Sequence, residues 1–134
     1  MDRNSDGMID IKLKRDLPFT NITLGYKGNA LDIPHVLIDT GSGRTIFAAD
    51  MVAQMGIVPI ENDMIYTVRG VGGTEAVFVR CVDYLKIGDH RVKNFEIGIG
   101  GMDYGFEING ILGMDFLLDV EAFIDLKRLV IDFH

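Results

Sequence analysis

The stretch Val36-Leu37-Ile38-Asp39-Thr40-Gly41-Ser42-Gly43-Arg44-Thr45-Ile46-Phe47 decides how the rest of the chain is read. An apolar run ends in a carboxylate, small residues follow at once, and apolar character then returns. Taking a carboxylate out of water without partners is costly, so an aspartate at the end of a buried strand needs donors close by. Thr40-Gly41-Ser42-Gly43 supplies them: small side chains let the backbone turn sharply and bring amide groups to the ionised Asp39, and the Ser42 hydroxyl is a further donor to its outer oxygen. Taken alone, Asp-Thr-Gly reads more readily as a structural turn closed by an Asx-type hydrogen bond than as a catalytic site.

Outward from this segment, short apolar stretches separated by turn residues dominate. Ile9, Ile11 and Leu13 alternate with polar neighbours, as a half-buried strand requires. Strands are expected at Phe19–Leu24, after the Gly28-Asn29 turn, at Met64–Val68, Val77–Leu85, Val92–Ile99, Val120–Ile124 and Leu129–Phe133. The Gly88-Asp89 pair forms a further turn. Asp50 is placed to N-cap a short helix ended by Gly56, and a single helical turn follows Gly113 at Met114–Leu118. The expected class is all-β with one or two short helices, and the lack of long helices excludes a doubly wound α/β fold.

Size and composition agree. A chain of 134 residues, 48% apolar and 25% charged, is long enough for one domain with a core. Its 16 glycines against 3 prolines suit many tight turns. A net charge of -7 disfavours nucleic acid or an anionic membrane as partner. With Cys81 as the lone cysteine, no internal disulfide or thiolate cage is available. We expect Cys81 to be a small core residue of its strand, and the protein to be cytoplasmic. No apolar run approaches the roughly 18 residues of a membrane span.

The segment around Asp39 resembles the active-site segment of aspartic peptidases, where apolar residues precede Asp-Thr-Gly-Ser/Ala and Thr with an apolar pair follows. Ile111-Leu112-Gly113-Met114-Asp115-Phe116-Leu117 is similar to the family's second signature, an apolar pair and Gly opening a short helix. Between them, Tyr66-Thr67-Val68-Arg69-Gly70-Val71-Gly72-Gly73 has the place and composition of the flap hairpin. With one Asp-Thr-Gly, the resemblance is to the single-domain retropepsin branch. It implies a retropepsin-like closed β barrel or sandwich with a flap hairpin. Residues 11–134 would form the peptidase domain and residues 1–10 a flexible acidic leader.

The activity so implied is that of an aspartic endopeptidase, its site shared by two identical chains that each give Asp39. Two carboxylates about 3 Å apart share one proton. The ionised member activates a water and the protonated one polarises the scissile carbonyl. By the same resemblance, Thr40 reaches the opposite subunit's backbone, Gly41 lets substrate lie close, and Ser42 completes the loop. Ile46 and Ile111 would wall the central subsites, with Gly70, Val71, Gly72 and Gly73 over the substrate. Partners would be a peptide or protein substrate and a second copy, with no nucleic acid, membrane, cofactor or metal. The alternative is an inactive retropepsin-fold dimerisation or peptide-binding module.

Two departures stand out. Gly113-Met114-Asp115 replaces the Gly-Arg-Asn of viral enzymes, so the dimer must be supported differently. Gly43-Arg44 stands where those enzymes carry acids that hold the substrate backbone. Elsewhere, Asp2–Asp10 follows a calcium-loop pattern but has Leu13 where the bidentate Glu belongs. His35, His90 and His134 show no metal spacing, and the two Gly-rich tips lack the residues of a phosphate cradle.

Overall fold

The computed structural model describes residues 7–70, 73–102 and 106–134. Among these residues, eleven strands, β1 Ile9–Asp10, β2 Lys12–Lys14, β3 Leu17–Tyr26, β4 Asn29–Ile38, β5 Ile46–Ala48, β6 Ile65–Gly70, β7 Gly73–Ile87, β8 His90–Gly100, β9 Gly110–Leu112, β10 Ala122–Asp125 and β11 Val130–Phe133, accompany two short helices, α1 Ala49–Val52 and α2 Met114–Asp119. The all-β expectation holds.

Eight strands form one sheet in the order β2-β3-β4-β9-β5-β8-β7-β6. An additional β3–β7 pairing, with Leu24 opposite Leu85, closes β3, β4, β9, β5, β8 and β7 into a ring. The length of β7 makes this possible. One edge pairs with β8 from Phe78 to Ile87, while the other serves β6 near its start and β3 near its end. Inside lie Ile22, Leu24, Ile33, Val36, Ile38, Phe47, Leu85, Ile97, Ile99, Leu112 and Phe116, all buried. A small sheet β1-β11-β10 is built from the chain's two ends.

The turns fall as read, except that the first lies at Lys27-Gly28 because Asn29 already opens β4. Lys27 and Gly28, both at positive φ, join β3 to β4, and Gly88-Asp89 joins β7 to β8. Gly56, at φ 81°, ends the short helical segment after a 3-10 turn. Asp50 is not its cap. The N-cap is Ala48, and Asp50 sits in the first turn, where a carboxylate favours the positive end of the helix.

Three other expectations change. Ile9 and Leu13 do not share a strand, because the chain breaks at the buried Ile11 and passes from one sheet to the other. Leu13 is left 51% exposed. Ile9 and Asp10 belong to β1, opposite Ile131 and Val130, so regular structure starts within the stretch read as leader; residues 1–6 lie outside the described residues. Cys81 is exposed. Its neighbour Val82 points into the core at 1% exposure, and strand alternation turns Cys81 outward.

Candidate active site

Where Asp39 points is settled by an irregularity in β4. Ile22 pairs with Ile33, but Thr20 pairs with Val36, so β4 carries one extra residue. His35 absorbs it at φ 56°. A bulge of one residue reverses the alternation beyond it. Ile33, Val36 and Ile38 therefore all face the main core, and Leu37 turns to the other side.

On that side a row crosses four strands: Phe19 opposite Leu37, Leu37 opposite Ile111, Ile111 opposite Ile46. Asp39, two residues beyond Leu37 and just past the end of β4, falls on the same side by strand alternation. Phe19, Ile108 and Ile111 form a second apolar cluster against which Leu17, Leu37, Met102 and Phe106 pack. The carboxylate thus stands at the rim of an apolar surface separate from the barrel interior. Ile46 and Ile111 lie on the row, yet within one chain they are only 3% and 8% exposed.

The loop itself is fixed by backbone geometry. β9 lies between β4, its parallel partner, and β5, its antiparallel one. Continuing that pairing, the Asp39 amide donates to the Leu112 carbonyl at 3.0 Å. The Ser42 amide closes the turn on the Asp39 carbonyl at 3.1 Å. The Gly41 amide donates to Asp39 Oδ1 at 2.9 Å, as expected of the loop. Among the described residues Oδ2 takes no hydrogen bond. Asp39 is half-buried while Thr40 and Gly41 are exposed. The Ser42 hydroxyl does not reach Asp39; it donates to the Arg44 carbonyl at 2.8 Å.

Behind the loop is a connection that sequence reading missed. The Thr45 hydroxyl donates to Asp115 Oδ1 at 2.7 Å and accepts from the Gly113 amide at 3.0 Å. The Thr45 amide donates to Asp115 Oδ2 at 3.1 Å. Met114 donates its amide to the Ser42 carbonyl at 2.8 Å. Thr45 is wholly buried, and Asp115 also accepts the Phe116 amide in the first turn of α2 at 2.7 Å. Asp115, noted in the sequence only as a departure, is what joins the helix to the Asp39 loop. The one available signal was a carboxylate in the first turn of a short helix. Gly113 is required here by proximity, since a Cβ would lie 2.6 Å from the Arg44 carbonyl group.

The hairpin β6–β7 is present, with Gly70 opposite Gly73; Val71 and Gly72 lie outside the described residues. Its approach is gripped by Arg80 of β7, which donates to both oxygens of Asp63 at 2.8 and 3.0 Å and to the Val58 carbonyl at 3.0 Å. The Ile60 amide, donating to Asp63, holds its carboxyl below the usual carboxylate range; burial opposes this and Arg80 reinforces it. His35 stands 3.9 Å from Glu107 and edge-on to Phe19, a structural placement. Among the described residues no three His, Cys, Asp or Glu side chains converge as metal ligands. None of the described helices is long and apolar enough to cross a membrane.

A family profile described as Aspartyl protease matches residues 23–116. The fold is similar to that in the crystal structure of a retropepsin-like aspartic protease from Rickettsia conorii, with a TM-score of 0.63 and 21% identity, covering 93% of this chain and 98% of that one. No curated protein matches the sequence.

Proposed function

Because this chain belongs to the aspartyl protease family, we propose that it is an aspartic endopeptidase whose active site is shared by two identical chains, each contributing Asp39. The observation that carries this reading is the state of Asp39 in the single chain. Its Oδ1 is held by the Gly41 amide, its backbone is locked to β9, and the turn that presents it is exposed. A carboxylate so fixed at an open surface is half of a site, and the sequence holds a single Asp-Thr-Gly.

A two-fold partner would bring a second Asp39 to the first, and the pair would share one proton. The ionised member takes a proton from water, which attacks the scissile carbonyl. The protonated member polarises that carbonyl and then helps protonate the departing nitrogen. Thr40, Gly41 and Ser42 keep the loop in shape. Substrate would lie over the exposed Asp39 turn and beneath the hairpin, and the family resemblance at Ile46 and Ile111 favours large apolar residues at the cut.

A statine-type transition-state analogue tests the reading, because its hydroxyl needs both carboxylates. We expect saturable binding, as measured by calorimetry, at one analogue per two chains. Absence of binding to a preparation shown to be dimeric would favour an inactive dimerisation or peptide-binding module.

A further inference from the structure

Arg44 follows the active-site loop and occupies a position where the family's viral members carry an acid. Its backbone is part of the floor: the carbonyl accepts the Ser42 hydroxyl, and the next residue is the buried Thr45, whose carbonyl accepts the Gly98 amide at 2.9 Å. Its side chain leaves the floor. The stem packs closely on β8 at Gly98, where a Cβ would lie 3.3 Å from Arg44 Cδ. The guanidinium then pairs with Glu96, two residues along the same face of β8, at 2.9 Å. It also lies over the ring of Tyr66, with Cζ 5.1 Å from the centroid.

Tyr66 belongs to β6 and stands opposite Val77 of β7, while Gly98 stands opposite Val79. One side chain rooted in the floor therefore crosses the sheet from β8 over β7 to the hairpin strand. The Arg44 side chain is 29% exposed, so its stacking on Tyr66 is partly shielded from water, where cation–π attraction is strengthened.

We propose that Arg44 is a positioning residue that ties the β6–β7 hairpin to the Asp39 loop and sets the spacing between them. Glu96 neutralises the guanidinium, so its role is to hold the hairpin rather than to select acidic substrates. The consequence for turnover rests on the peptidase reading; the mechanical link does not.

The test is amide hydrogen exchange on the full chain for R44M, Y66L, the double variant and Y66F. R44M and Y66L should each speed exchange in Ile65–Thr67 and Ala76–Phe78 by about two- to fivefold, the range of one cation–π contact. The double variant should match either single one, and Y66F, which keeps the ring, should match the parent. Exchange at Thr45 and Leu112 should stay unchanged, showing the floor intact. Additive effects in the double variant, or hairpin exchange unaffected by R44M, would overturn the link. Where a peptide is cleaved, R44M should raise KM several-fold with kcat within about twofold, the pattern of binding lost equally from ground and transition states. If no chain cleaves any peptide while the exchange pattern holds, the peptidase reading fails and the link stands.

Discussion

Asp39 and Thr45 both bear on one loop, and on the proposed reading they separate chemistry from support. Asp39→Asn keeps an acceptor for the Gly41 amide and nearly the same shape, so we expect unchanged melting and association. Without a carboxylate to act as base, turnover should fall by at least about a hundredfold, the usual scale of a lost general base. A variant within tenfold of the parent in a peptide-cleavage assay would remove Asp39 from the mechanism. Thr45→Val is also isosteric but strikes the scaffold. It leaves the Gly113 amide without an acceptor and Asp115 without one of its donors in a fully buried place. Unfolding by denaturant should show a loss of about 1–3 kcal/mol, the range for an unsatisfied buried polar group. Asp115→Ala should lose at least as much, because three donors to one carboxylate go at once.

Among elements, the hairpin is the one most dependent on its surroundings. Before β6 the chain exposes Val58, Ile60 and Met64, so apolar burial does little to hold that approach, and the polar clamp of Arg80 and Asp63 holds it instead. The folded Asp63 carboxyl lies below its ordinary range. Its contribution to stability is therefore fully present above the unfolded-chain pKa and is lost as pH falls through the depressed folded value. The clamp should survive mildly acid conditions. Asp63→Asn should be less stable than the parent near neutrality, with faster exchange at the Ile60 amide, and the gap between the two should close only at strongly acid pH. Melting curves across an acid series check this; a gap independent of pH would assign the clamp to shape rather than charge.

For the whole molecule, the proposed shared site would make activity a matter of association. Specific activity should fall on dilution, with initial rate curving upward against chain concentration. Rates strictly proportional to concentration, down to where sedimentation shows only monomer, would refute the shared site. Phe123 of the edge strand β10, Leu118 in α2 and Leu126 in the turn after β10 are 58–66% exposed.

How much could be read in advance differs from feature to feature. Local structure was legible from the chain alone. The apolar run into Asp39-Thr40-Gly41, the Gly-rich hairpin and the Ile111-Leu112-Gly113 step into a helix depend on neighbours in sequence, and turns at Gly28, Gly56 and Gly88 follow from glycine's tolerance of positive φ. What the sequence could not decide is which face each strand presents. The period-2 reading of Ile9, Ile11 and Leu13 failed because the chain changes sheets at Ile11. Cys81 was misplaced because an apolar flank does not say which of two neighbours points inward. The side of the sheet on which Asp39 stands depends on a bulge at His35, a residue whose type gives little warning of positive φ. Likewise Asp115 and Thr45 meet only because β9 lies between β4 and β5. Such contacts join residues far apart in the chain, and their partners are fixed by strand register, which only the closed barrel determines.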